Sequence, residues 1–281
     1  MKLAQKLALN YFRARLNMTA VFSRRRAAEK AFDVFCTPFR RARKAEPSIF
    51  RRAEKVLLRV DGKRVVLYRW NRGTGRRVLI LHGFESSAFN FDRYVGPLLK
   101  KGYEVLALDA PAHGASEGKR ITLPAYVASI AAVAATVGMP HSFMAHSFGG
   151  LALVHFLEQV KPAPADLRVA LVAPATEMQT AVDSLFRLLQ LDDSVRVHFE
   201  ELIIEKGGHP AAHYSLSRVL PVINAAVLWV QDEQDDITPY SDMLPIQQLA
   251  LPNMEFMVTS GLGHRRIYRE NKVVKKIVEF L

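Results

Sequence analysis

Only one cysteine, Cys36, occurs in the 281 residues, so the chain cannot staple itself with an internal disulfide. No uninterrupted apolar stretch approaches the roughly 18 to 20 residues that a membrane-spanning helix needs. A secretory signal is also missing, because Arg13 and Arg15 interrupt the only apolar start. These absences predict a cytoplasmic protein. No internal repeat is visible, and a hydrophobic content of 49% is too high for a chain that stays unfolded. Length alone allows one large α/β domain or two small ones.

Acidic residues are scarce in one place. Residues 1–55 hold 15 basic side chains against only Glu29, Asp33, Glu46 and Glu54, which accounts for nearly all of the net charge of +12. The remaining residues, 24 basic and 23 acidic, form a nearly neutral body with no long-range attraction for nucleic acid. The basic segment is therefore a separate problem, read as a helical extension over 1–55. Leu3, Leu7, Tyr11, Ala14, Met18 and Phe22 recur at three- and four-residue steps, which predicts one apolar stripe along a basic helix. A second helix is predicted over 27–35, ending before Pro38. Such a stripe can make peripheral contact with an anionic membrane through residues 1–40, pack on the body, or serve a partner or targeting role. The sequence leaves these open, and oligomeric state with them.

From about residue 56 to 281 the rhythm changes to short apolar runs separated by helical patterns. That alternation predicts a mainly parallel eight-stranded sheet with helices on both faces. Strands are expected at 56–60, 64–70, 78–81, 104–109, 142–145, 168–172, 226–230 and 254–258, the first two joined at the turn dipeptide Asp61-Gly62. A last helix is expected over 271–281. Between the sixth and seventh strands an insert over about 176–224 has helical periodicity. Val182, Leu185, Phe186 and Leu189 share one face, as do Val195, Phe199, Leu202 and Ile203. The insert is a candidate lid whose apolar faces either roof a pocket or bury against each other and the sheet.

The sharpest motif is Met144-Ala145-His146-Ser147-Phe148-Gly149-Gly150, between an apolar strand and a helical run. It resembles the nucleophile elbow, a tight strand-to-helix turn that lifts a serine hydroxyl clear of the sheet, with Ala145 standing where glycine is usual. Three more stretches follow the same order: Leu81-His82-Gly83-Phe84, then Asp109 to Ser116 with its Pro111 and His113-Gly114, then Gln231 to Pro239 and Gly263-His264. Together they are similar to the α/β-hydrolase fold superfamily, in outline to its carboxylesterase and monoacylglycerol-lipase-like members.

That resemblance implies Ser147 as nucleophile, His264 as base and Asp235 as the acid that orients it, with Asp236 the nearest competitor and Asp232 next. It implies oxyanion donors at the backbone NH groups of Phe84 and Phe148, and structural roles for His82 and His113. The chemistry needs this set because a serine hydroxyl is a weak nucleophile until an imidazole takes its proton. Serine in place of a carboxylate nucleophile argues against dehalogenase and epoxide-hydrolase chemistry. The expected substrate is a small or medium-chain hydrophobic carboxylic ester, cleaved through an acyl-serine. Thioester cleavage, acyl transfer or a non-catalytic binding role on the same fold are the alternatives. No cofactor is expected. No metal is expected either, since His209 and His213 lack a third ligand nearby.

Overall fold

A computed structural model of the chain describes residues 3–39, 45–161 and 166–281, with side chains from Leu9 onward. The chain divides into two compact units: Met1–Thr37 with Glu177–Ser215, and Pro38–Thr176 with Leu216–Leu281.

The larger unit is built on one eight-stranded sheet of order β1-β2-β4-β3-β5-β6-β7-β8. The strands are β1 (Glu54–Val60), β2 (Lys63–Trp70), β3 (Arg77–Leu81), β4 (Glu104–Asp109), β5 (Ser142–His146), β6 (Arg168–Val172), β7 (Ala226–Asp232) and β8 (Met254–Thr259). Every expected strand is present, with ends within two residues. Asp61 and Gly62 turn the β1–β2 hairpin with φ of 49° and 75°, the positive pair that a tight two-residue turn requires, and Val60 faces Lys63. β2 also runs antiparallel to β4, and all later pairings are parallel. Every residue of β4 and β5 is buried, as expected of central strands covered on both faces.

Among the described residues the α-helices are, in chain order, α1 (Leu3–Phe22), α2 (Arg24–Cys36), α3 (Asp92–Lys100), α4 (Leu123–Val137), α5 (Phe148–Gln159), α6 (Met178–Leu189), α7 (Asp193–Gly207), α8 (Leu216–Val219), α9 (Tyr240–Gln248), α10 (Gly263–Arg266) and α11 (Asn271–Phe280). Of these, the longer helices of the larger unit, α3, α4, α5, α9 and α11, clothe the sheet. α3 packs against α11, and α4 against α5. Beneath α3 and α11, Phe50 meets Tyr68, Trp70 and Phe89 at ring distances of 5.0, 4.9 and 4.8 Å. Edge-on aromatic pairs of this kind add about 0.5 to 1.5 kcal/mol each beyond their burial. The chain order doubles back between β3 and β5, which are neighbours although β4 lies between them in sequence. A crevice opens at such a reversal, beyond the carboxyl ends of the strands, and both Gly83 and Ser147 follow strands that end there.

The smaller unit consists of α1, α2, α6 and α7. Ser23 caps α2, its hydroxyl accepting from the NH of Arg26 at 3.3 Å, and Asp192 caps α7 by accepting from Ser194 at 2.8 Å. Gly208 ends α7 at φ 89°, a conformation that costs glycine little. Phe199 of α7 is the hub, with Phe32 and Phe35 of α2 at 5.6 and 5.7 Å and Phe186 of α6 at 5.2 Å. Both apolar faces expected on the insert are buried. Arg25 adds exposed ion pairs to Glu205 at 2.8 Å and Glu201 at 3.4 Å, which water screens.

The stripe read along the first helix is not its packing face. Leu16 is buried, whereas Tyr11, Ala14, Met18 and Phe22 are exposed, and the side chains of Leu3 and Leu7 lie outside the described residues. α1 lies against α2 and α6 instead, and Arg13 donates from Nε to the Leu188 carbonyl at 2.7 Å. The pattern of threes and fours found a real face but could not say which way it pointed.

Candidate active site

β5 passes into α5 through a tight turn at Ser147. Ser147 has φ 54° and ψ −125°, a strained conformation for a residue with a side chain, so the surroundings must hold it there. They do so through the Ser147 NH, which donates to Val172 at 3.1 Å, and the Ser147 carbonyl, which accepts from Ala175 at 3.0 Å. The following glycines make room. A β-carbon on Gly149 would stand 2.6 Å from the His82 carbonyl oxygen, and one on Gly150 would stand 2.7 Å from Pro174. On the β3 side, a β-carbon on Gly83 would come within 2.7 Å of the Ser147 β-carbon. Ala145 lies wholly buried in β5, where its methyl is accommodated.

Ser147, His264 and Asp235 converge. Ser147 Oγ lies 3.0 Å from His264 Nε2, and His264 Nδ1 lies 2.8 Å from Asp235 Oδ2. All three residues are buried. A hydroxyl proton aimed at one ring nitrogen, with the other NH aimed at a carboxylate, is the arrangement that makes a serine nucleophilic. Asp236, the competitor, is exposed. Asp235 points inward because Oδ1 accepts from the NH groups of Ile237 and Thr238, both at 2.9 Å. Burial works strongly against its charge, yet the hydrogen bonds from His264, Thr238 and Ile237 outweigh this and hold its pKa below the usual carboxylate value.

Two neighbours matter: Thr238, which the sequence reading did not single out, and Asp232, which it named only as a competitor for the acid. Thr238 Oγ1 lies 2.9 Å from Asp235 Oδ2 and 3.1 Å from His264 Nδ1, so it steadies both partners. Asp232, at the end of β7, clamps the loop that carries His264: it accepts from Thr259 Oγ1 at 2.7 Å and from the Leu262 and Gly263 NH groups at 3.0 Å. The only sequence signal for Thr238 was membership of the same short loop.

Phe148 opens α5, so its NH has no carbonyl one turn earlier in the helix to bond. The Phe84 NH likewise meets no acceptor among the described residues. The Phe84 and Phe148 rings stand 6.3 Å apart and Tyr126 lies 5.7 Å from Phe148, an apolar wall beside the serine. His82 accepts from the Ala110 NH at Nε2 and faces the Gly83 carbonyl through Nδ1, while His113 accepts from the Glu85 NH. Both rings tie loops together. No cluster of three or more His, Cys, Asp or Glu that could hold a metal ion occurs among the described residues.

His146, next to the serine, is buried; its Nε2 donates to the His264 carbonyl at 3.1 Å. Burial, then repulsion from His264, pushes its pKa down to about 3, and burial pushes that of His82 down to about 4. The folded protein therefore keeps both rings neutral at a pH where the unfolded chain, titrating near 6.5, takes up protons. Stability should fall as pH drops from about 6.5 toward 4, by up to about 3 kcal/mol per histidine. Asp235, with its lowered pKa, adds a separate loss only below about pH 4. Urea unfolding at a series of pH values checks this. His146→Gln, which keeps a donor for the His264 carbonyl, should give a shallower decline, and an unchanged slope would show that His146 does not titrate on unfolding.

Comparison with known proteins agrees with this architecture. Residues 74–278 match the family described as "Serine aminopeptidase, S33". An uncharacterized hydrolase of Bacillus subtilis, YugF, is 46% identical over 68 residues, a stretch that spans only 24% of this chain and 24% of that protein. An esterase of Pyrococcus furiosus has a similar structure, with a TM-score of 0.64 at 21% identity over 88% of this chain and 96% of the other. A membrane phospholipase A described as a bacterial virulence factor has a TM-score of 0.61 at 16% identity, over 99% and 98%. At these identities the structures speak to fold alone. The family match covers most of the chain, and with the eight-stranded sheet and its strained serine turn it makes this protein a hydrolase of the α/β-hydrolase fold, a member of the S33 serine aminopeptidase family.

Proposed function

We propose that the protein cleaves carboxylic esters with small or medium-chain hydrophobic acyl groups through an acyl-serine intermediate. The observation that carries this is the continuous line from Ser147 Oγ through the His264 ring to Asp235, at 3.0 and 2.8 Å. Ser147 Oγ attacks the ester carbonyl as its proton passes to His264 Nε2. Asp235 keeps the ring in the tautomer with its free nitrogen toward the serine and balances the imidazolium. The carbonyl oxygen, now negative, is received by the NH groups of Phe84 and Phe148. Fixed donors of this sort are worth roughly 3 to 4 kcal/mol each in the barrier. His264 then returns the proton to the departing alkoxide, and water, deprotonated by the same ring, releases the acid and restores Ser147.

The aromatic wall of Phe84, Phe148 and Tyr126 favours an apolar acyl group. Two of the structural neighbours carry the names esterase and phospholipase, so the shared fold is one on which ester cleavage occurs. Nitrophenyl esters of increasing acyl length provide the test. Turnover should be measurable and should peak at short to medium chains. Turnover of thioesters or aminoacyl amides with none of esters would overturn the assignment.

A further inference from the structure

α1 buries one side and leaves an apolar side open. Tyr11, Met18, Val21 and Phe22 are 68%, 62%, 83% and 84% exposed. At about 100° per residue they lie together on the side of the helix away from Leu16. Four exposed hydrophobes in line need an occupant. No helix among the described residues is long and apolar enough to cross a membrane, so α1 does not read as a span.

The border of this face identifies what it meets. Arg15 is exposed beside Tyr11 and Phe22, and it lines a groove between α1 and α2 together with Phe12, Leu16, Lys30, Asp33 and Val34. Lys30 Nζ reaches Thr19 Oγ1 of α1 at 3.1 Å, which holds its charge at the edge of the apolar face. Arg26 is exposed at the start of α2. Across 3–36 seven basic side chains stand against Glu29 and Asp33, and Glu29 is already engaged by Arg25. A second copy of the chain docked on this face would set these cations against their equals. A bilayer with anionic headgroups suits both parts, with acyl chains taking the hydrophobes and phosphates taking the cations. Tyr11 fits this border, since its ring is apolar and its hydroxyl prefers the wet headgroup layer.

We infer that the outer side of α1, with about the first two turns of α2, is a docking surface for an anionic phospholipid bilayer. Phe22, Val21, Met18 and Tyr11 enter the acyl boundary, while Arg15, Arg26 and Lys30 sit among the phosphates. The inference is independent of the proposed esterase activity, because neither the surface nor its test involves Ser147.

Co-sedimentation of the full chain with vesicles decides it. Wild type should bind vesicles of phosphatidylcholine and phosphatidylglycerol mixed about 2:1, bind pure phosphatidylcholine at least about tenfold more weakly, and be released by about 0.5 M salt. A variant carrying Tyr11→Ser, Met18→Ser, Val21→Ser and Phe22→Ser, and another carrying Arg15→Glu, Arg26→Glu and Lys30→Glu, should each bind the mixed vesicles about tenfold or more weakly than wild type. Circular dichroism and thermal melting check folding. Phe22→Ser alone, at the most exposed position, serves if the multiple variants do not fold, with a smaller loss of the same sign. Failure of wild type to bind the mixed vesicles would overturn the inference. So would undiminished binding by the serine variants, or lipid-free dimers of wild type that these variants dissolve.

Discussion

Ser147→Ala is expected to lower ester turnover by about three to six orders of magnitude, up to about 8 kcal/mol in the barrier, with little change in the fold. The size follows from the hydroxyl's position. Among the described residues the hydroxyl bonds His264 Nε2 alone, at 3.0 Å, so alanine removes the attacking atom and leaves just the ring nitrogen without its partner. The turn should survive because it is held by the backbone bonds to Val172 and Ala175, which do not use the side chain. Positive φ is no more strained for alanine than for serine, and Ala112 and Ala173 already adopt it. A fluorophosphonate probe gives the direct measurement. Wild type should be labelled and Ser147→Ala should not. Labelling that persists in the variant would place the nucleophile elsewhere, and wild type that resists the probe would favour a non-catalytic role.

Asp235→Asn is expected to cost up to about 10⁴ in kcat with a smaller change in KM. The two acceptor bonds from Ile237 and Thr238 would hold the asparagine oxygen at the Oδ1 position and turn its NH₂ toward His264. A donor facing Nδ1 selects the tautomer that carries its proton on Nε2, and such a ring cannot accept from Ser147. The loss therefore comes from a misplaced proton rather than a displaced ring. Raising the pH would not restore it. Asp236→Asn, on an exposed side chain of the same loop, should leave kcat within about twofold, and a comparable fall there would overturn the assignment of the acid.

The sheet was legible because its signals are local. Asp61-Gly62 fixes a turn whatever surrounds it, and the unbroken apolar runs of β4 and β5 have few other uses in a chain of this size. The serine, the histidine and the order of their loops were legible for a similar reason, since a motif carries its own geometry. The choice among Asp232, Asp235 and Asp236 was harder to read, because the resemblance pointed to Asp235 by spacing while composition favoured none. What separates them is which backbone NH groups each carboxylate meets, and that emerges only when β7, β8 and the loop after Thr259 are side by side. The burial of α6 and α7 against α2 was not legible either. An amphipathic helix announces that a face will be covered, but Phe199 does not name Phe32 as the residue that covers it. α1 shows the same limit from the other side, since the packed side is marked by buried Leu16 with half-buried Phe12 and Ala20, while the stripe of Tyr11, Met18 and Phe22 is open.

The partnership of α2 with α7 has a temporal side. Phe32, Phe35 and Arg25 leave the ribosome early, whereas Phe199, Glu201 and Glu205 follow after more than half the polypeptide has been made. At common elongation rates that delay is on the order of ten seconds or more, during which α1 and α2 have each other but neither α6 nor α7 to cover them. The amino-terminal helices therefore complete their native unit only after α7, ending at Gly207, has been made.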